Sequence, residues 1–125
     1  MLADCTAVAN VAVKDLEAAK RFYEEVLGLP EIGKQAEEIA IYRSGNSTLN
    51  VYRSEFAGTN KATAVTWAVG DALDEMVAGL KAKGVRFEHY DMPGAKLEGD
   101  IHAFGDMRVA WFKDPDGNIL NLINR

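Results

Sequence analysis

The sequence predicts an α+β fold of two β-α-β-β-β units in tandem, on three observations. A strand-like stretch, an aspartate, an amphipathic helical run and a glycine occur twice in one register. Asp15 and Asp71 are 56 residues apart (71 − 15), and so are Gly28 and Gly84 (84 − 28). After each helical run the apolar period changes from helical to alternating. Each half then closes on two alternating stretches joined by SGNS or DPDGN, whose Gly and Asn tolerate the positive φ of a tight hairpin. An internal repeat of this length decides architecture before any local preference does.

The elements follow in order. Residues 7–14, AVANVAVK, read as a strand. The Asp15 carboxylate suits the N-cap of the next helix, where it accepts from first-turn amides. Leu16, Ala19, Phe22, Tyr23, Val26 and Leu27 recur at helical spacing, and Gly28 stands where a left-handed C-terminal cap is wanted. Residues 29–34 supply a second strand, IAIYR (39–43) a third and TLNVYR (48–53) a fourth. In the second unit TAVTWAVG (63–70) is the strand and Asp71 the cap, with Leu73, Met76, Val77 and Leu80 on the helix face before Gly84. Residues 85–89, RVAWFK (108–113) and ILNLIN (119–124) complete it. Aligning Thr48 with Ile119 gives a separation of 71, so the second unit carries 15 extra residues (71 − 56). They fall in HYDMPGAKLEGDIHAF, 89–104, which Pro93, Gly94 and Gly99 mark as a loop. A loop that long in a small domain is commonly functional. The boundaries are one domain over 1–125, with repeat one about 6–53, a linker about 54–62 made flexible by Gly58 and Asn60, and repeat two about 63–124.

Composition excludes several classes. A chain of 125 residues, 48% hydrophobic and 26% charged, has the size of one globular domain with a sizeable core. Its net charge of −5 argues against nucleic acid, which needs a basic face. No apolar run approaches the roughly 20 residues that span a bilayer, and MLADCTAV has neither a basic nor an apolar signal region. The expectation is a cytoplasmic protein with no membrane partner. Cys5 is the single cysteine, so neither an internal disulfide nor a thiolate cluster within the chain is available, and a small buried residue is expected there. The acids of KDPDGNILNLIN do not make a calcium loop: Gly117 is fourth where sixth is needed, and the twelfth residue after Lys113 is Arg125 rather than glutamate. They read as turn chemistry, with Asp side chains capping backbone amides. Lys14, Glu17, Lys20, Arg21, Glu24 and Glu25 read as a solvated helix face.

Two such units, the first running VANVAVKDLEAAKRFYEEVLGLPE and the last closing on AWFKDPDGNILNL, resemble the vicinal oxygen chelate superfamily from about Thr6 to Ile123. That superfamily includes glyoxalase I, extradiol dioxygenases, fosfomycin-resistance enzymes and bleomycin-resistance proteins. The resemblance implies curled sheets around a cavity with helices outside, and commonly a homodimer. It also implies ligand positions for a metal, on the first and last strand of each repeat. Here those positions are Val8, Asn50, Ala64 and Asn121. Val and Ala have no donor atom and Asn is a weak neutral ligand, whereas divalent transition metals want imidazole or anionic oxygen. The expectation is therefore no metal and no cofactor. His89 and His102 lack a third partner and read as surface or loop residues.

If the family's inward parity holds, Val8, Asn10, Thr48, Asn50, Tyr52, Ala64, Thr66 and Asn121 face the cavity, and Trp111 either lines it or packs in the core. Asn50 and Asn121 either clamp a polar group of a ligand or hydrogen-bond each other or buried water. Arg53 and Phe56 are candidates for the pocket rim. The function expected is a metal-free small-molecule-binding protein of the glyoxalase/bleomycin-resistance type that sequesters a drug or metabolite. The alternative is a metal-free enzyme, lyase-, isomerase- or hydrolase-like. It would take His102, Tyr52, Glu98 or Asp100 as acid or base, with the two asparagines as anchors. A metal-dependent lyase or dioxygenase is the third possibility.

Overall fold

The computed structural model describes residues 1–35 and 37–125. Two compact units divide the chain: Met1–Asn60 with Pro115–Asn118, and Lys61–Asp114 with Ile119–Arg125. No helix among the described residues is long and apolar enough to cross a membrane.

In the first unit, β1 (Ala9–Val13) is followed by α1 (Leu16–Lys20), a π-helical turn (Arg21–Val26), β2 (Glu31–Gln35), β3 (Ile39–Ser44) and β4 (Ser47–Arg53). The sheet order is β1-β4-β3-β2, with β1 parallel to β4. Alternation decides what is buried. Val11, Val13, Ala40, Tyr42, Leu49 and Val51 are all buried on one face, and α1 packs over it against β4. Tyr23 stacks on Tyr42, ring centroids 6.1 Å apart. Tyr42 Oη donates to Glu24 Oε2 at 2.9 Å, so Glu24 belongs to this packing rather than to a purely solvated face. Burial, then that hydrogen bond, push the Tyr42 phenol far above its ordinary value. Asp15 Oδ1 accepts from the Glu17 and Ala18 amides at 2.9 and 3.4 Å. Past Lys20 the helix widens, and the Leu27 amide donates to the Phe22 carbonyl five residues back. Apolar spacing over six residues does not distinguish this turn from an α-helix.

In the second unit, β5 (Thr63–Ala68), α2 (Leu73–Ala82), β6 (Phe87–Glu88), β7 (Lys96–Glu98), β8 (Ile101–Phe104), β9 (Met107–Lys113) and β10 (Ile119–Ile123) follow in order. The sheet order is β5-β10-β9-β8-β7, with β6 also on β9. Its buried face carries Ala110, Phe112, Leu120 and Leu122, with Trp67 and Phe87 packed on Phe112. Arg108, on the same face of β9, reaches Asp74 of α2 with two hydrogen bonds of 2.9 and 3.0 Å, which places α2 over that face. The helix contributes Leu73 and Val77 to the core.

Several expectations are corrected. Asp71 does not cap α2: it sits in a 3-10 turn over Gly70–Ala72, and the capping position is Ala72 with no side-chain bond. Residues 89–104 are not only loop, because β7 and β8 form a hairpin within them. Cys5 is exposed, ahead of β1. Asp116 Oδ1 accepts from the amide of Lys14, 102 positions away, at 3.0 Å. Beside it Asn118 Nδ2 donates to the Ala12 carbonyl at 2.7 Å. Gly58 is required by close approach rather than for flexibility. Its φ is +72°, and a Cβ there would overlap the Asp116 carbonyl oxygen.

Gly58→Ala is expected to lower unfolding stability by about 3 kcal/mol, from left-handed strain plus a backbone clash. Gly79→Ala, in open space on α2, is expected to raise it by about 0.5–1 kcal/mol. Asp15→Ala should cost about 1 kcal/mol, whereas Asp71→Ala should cost no more than a few tenths, since no cap is lost there. Urea unfolding of the four variants checks each value.

Candidate functional site

The strand alternation that buries one face of each sheet leaves the other to polar and mixed side chains. On the first sheet, register places Asn10, Asn50 and Ile41 in one row and Ala12, Tyr52 and Ile39 in the next. Thr48 shares the face, opposite Arg43, and Val8 precedes β1 at 38% exposed. Asn50 Nδ2 donates to Asn10 Oδ1 at 3.2 Å, and Asn10 Nδ2 points to the Val8 carbonyl at 3.4 Å. The partner of Asn50 is thus its neighbour on β1. Arg53 ion-pairs with Glu38 at 2.8 Å, and Phe56 is 75% exposed.

On the second sheet, Thr66, Asn121, Trp111 and Glu88 make one row, and Ala68, Ile123, Val109, His102 and Leu97 the next. Ala64 and Thr66 are exposed on β5. Trp111 therefore lies on this face beside Asn121, and its Nε1 donates to Thr63 Oγ1 at 3.1 Å. Asn121 is buried, and its Oδ1 has no hydrogen-bond partner among the described residues. A buried polar atom left in this state costs about 1–3 kcal/mol.

His102, expected as a surface or loop residue, is on β8 and 1% exposed. The segment after β6 crosses the sheet here: Tyr90 packs on Trp111 and His102, with centroids 5.5 and 6.1 Å apart. The Tyr90 amide donates to His102 Nε2 at 2.9 Å. The Tyr90 carbonyl oxygen lies 3.2 Å from the same nitrogen, so the Tyr90 backbone takes up Nε2 and leaves Nδ1 as the free ring nitrogen. That Nδ1 and the Tyr90 hydroxyl are both buried without partners among the described residues. A pocket of about 330 Å³ opens beside them, lined by His89, Tyr90, Asp91, Met92, Ala95, Leu97 and His102. Two Gly-Asp turns, at 99–100 and 105–106, flank Ile101–Phe104. Those dipeptides are the sequence signal that could have placed His102 on a strand.

At the pocket mouth His89 Nε2 meets Asp100 Oδ1 at 2.7 Å, and Lys81 of α2 meets Asp100 Oδ2 at the same distance. Hydrogen bonds from Lys81, then His89, hold the Asp100 carboxyl below its ordinary value. Glu98 pairs with Ile101 across β7 and β8, so it points away from the face of Leu97 and His102. A carboxyl with a depressed folded-state value adds stability above its unfolded value and loses it as pH falls through the folded one. Asp100→Asn is expected to cost about 1 kcal/mol at pH 7. The gap between variant and parent should narrow below the ordinary carboxylate range, as read by urea unfolding at pH 7 and pH 3.

The donor set at the four positions that the resemblance marks for a metal does not fit one. Val8 and Ala64 offer no lone pair, the Asn50 amide is engaged with Asn10, and Asn121 is neutral. Among the described residues no three His, Cys, Asp or Glu side chains gather into a metal-holding group.

The model of the Glyoxalase/Bleomycin resistance protein/Dioxygenase superfamily matches residues 6–122. The chain is 25% identical over 123 residues to Virulence protein STM3117 of Salmonella typhimurium, covering 90% of this chain and 78% of that one. Among solved structures it is similar to lactoylglutathione lyase from Agrobacterium tumefaciens, with TM-score 0.71 and 18% identity over 96% of this chain and 92% of the other. It is also similar to TnmS3, an antibiotic binding protein from Streptomyces sp. CB03234, with TM-score 0.67 and 22% identity over 98% and 96%. Both share the α+β architecture described above. The family-model match spans nearly the whole chain, including both helix-covered sheets, and the chain belongs to the Glyoxalase/Bleomycin resistance protein/Dioxygenase superfamily.

Proposed function

We propose that this protein binds a small molecule without a metal, on sheet faces whose polar anchors are asparagines instead of ligating side chains. Asn121 carries the reading: the residue is 8% exposed, keeps an Oδ1 without a partner among the described residues, and lies beside Trp111 and Thr66. A ligand N–H or O–H relieves that acceptor, and the indole supplies apolar area. Val8, Asn10, Thr48, Asn50 and Tyr52 of the first sheet and Ala64 of the second are the other contact residues of this reading. The superfamily hosts binders and lyases on one fold, so side chains decide between them. Sequestration of a drug or metabolite follows from a site that offers anchors and no electrophile. The functional unit of this reading is a homodimer in the cytoplasm, with a second copy covering exposed face residues such as Val8.

One observation favours a second reading, a metal-free lyase, isomerase or hydrolase. His89, half exposed, is hydrogen-bonded to Asp100 at 2.7 Å on the wall of the same pocket as His102. Such a pair suits proton transfer. Turnover of a bound compound, lost in His89→Ala, would favour this reading over sequestration.

Purified protein is expected to carry far less than one equivalent of Mn, Fe, Ni or Zn by elemental analysis, and a ligand at 100 times its Kd should stabilise it by about 2.7 kcal/mol. Asn121→Leu should stabilise the free protein by about 1 kcal/mol and weaken that ligand at least tenfold. A stoichiometric metal, or unchanged ligand affinity in Asn121→Leu, would sink the proposal.

A further inference from the structure

We propose that the pocket beneath the 89–97 segment is a separate binding site, selective for a neutral one- or two-ring aromatic molecule bearing a carbonyl or phenolic oxygen. It adjoins the Asn121 site through Tyr90, which packs on Trp111, but none of the contact residues proposed for that site lines it. Three features define the ligand. Volume comes first, since about 330 Å³ is at the small end of ligand pockets, which run from about 300 to 1,000 Å³. The walls come second: Met92, Ala95 and Leu97 are apolar, and the Tyr90 and His102 rings offer flat faces for an aromatic guest.

Polarity comes third. His102 is 1% exposed, yet its Nδ1 has no partner among the described residues. The Tyr90 backbone takes up Nε2, with the amide at 2.9 Å and the carbonyl oxygen at 3.2 Å, so Nδ1 is the ring atom left for a ligand. The Tyr90 hydroxyl, equally orphaned, can donate to a ligand oxygen whichever ring nitrogen carries the proton. Asp91 on the wall disfavours a carboxylate ligand, and His89 does not offset it, because Asp100 already engages that ring. A neutral acceptor oxygen on an aromatic ring satisfies all three conditions. The Lys81–Asp100–His89 bridge holds the mouth by fastening the hairpin turn to α2.

The test is titration of ¹⁵N-labelled full-length protein with acetophenone, toluene and benzoate, ligands of one ring size that differ in acceptor and charge. Acetophenone is expected to move the amides of Tyr90, Met92, Ala95, Leu97 and His102 saturably, with toluene and benzoate at least tenfold weaker. Tyr90→Phe, which removes only the hydroxyl donor, should bring acetophenone down to the level of toluene. Leu97→Trp, at an exposed strand position that fills the pocket, should abolish the shifts. The Leu97 variant decides the matter if Tyr90→Phe does not fold. Equal affinity for the three probes, no saturable shift, or binding retained in Leu97→Trp would overturn the proposal. Shifts confined to Thr66, Trp111 and Asn121 would overturn it too while leaving the Asn121 site standing.

Discussion

Each sheet has one face that a helix must cover, and this two-residue alternation is the constraint on which everything else rests. Along β4, Leu49 and Val51 go under α1 while Thr48, Asn50 and Tyr52 go to the other side. Along β10, Leu120 and Leu122 go to the core while Asn121 takes the opposite face with its cross-strand neighbours Thr66 and Trp111. A slip of one residue would bury the asparagines under a helix and expose the leucines, so register and site chemistry are specified together. The hydrophobic driving force therefore acts on the asparagines indirectly. It assigns them to their face by burying what lies between them.

The asparagines then differ by neighbourhood. Asn50 has Asn10 directly across from it on β1 and spends its amide there. Asn121 has Thr66 and Trp111 across from it, and Trp111 directs its own N–H to Thr63, so the Asn121 carbonyl is left buried without a partner among the described residues. Two positions equivalent in the repeat are thus unequal in energy, and the unequal one has most to gain from a ligand. Among the described residues, buried polar atoms without hydrogen-bond partners lie at Asn121, His102 and Tyr90 of this unit, where the extra residues of the second repeat lie against the sheet, and at Glu31 of the other.

Charged side chains fasten the second unit together. Lys81 and His89 converge on Asp100, and Arg108 grips Asp74, so α2 is fastened to the sheet at two points. The turn at Pro115–Asn118 is fastened by Asn118 on the Ala12 carbonyl, by the close approach of Gly58 to Asp116 and by the Asp116 carboxylate on the Lys14 amide. Asp116, one of the acids that look like a cation loop in the sequence, is thus an anchor for a backbone amide.

The sequence by itself determined the repeat, the strand parity and the donor chemistry at Val8, Asn50, Ala64 and Asn121. Alternation and helical spacing are local, and a valine lacks a lone pair in any fold. It also carried the Gly-Asp signals for the β7–β8 hairpin, although proline and glycine density masks them in a reading by composition. What only the tertiary structure decided is which polar atoms are satisfied. Whether Asp71 caps a helix depends on how the chain leaves β5, and whether Gly58 is a hinge or a contact depends on Asp116, 58 residues away in sequence (116 − 58). His102 turns its Nε2 to the backbone of Tyr90, 12 residues earlier. Hydrogen bonds act over about 3 Å in space and are blind to sequence distance. Partners brought together by long-range pairing are therefore invisible until the sheet that brings them together is formed.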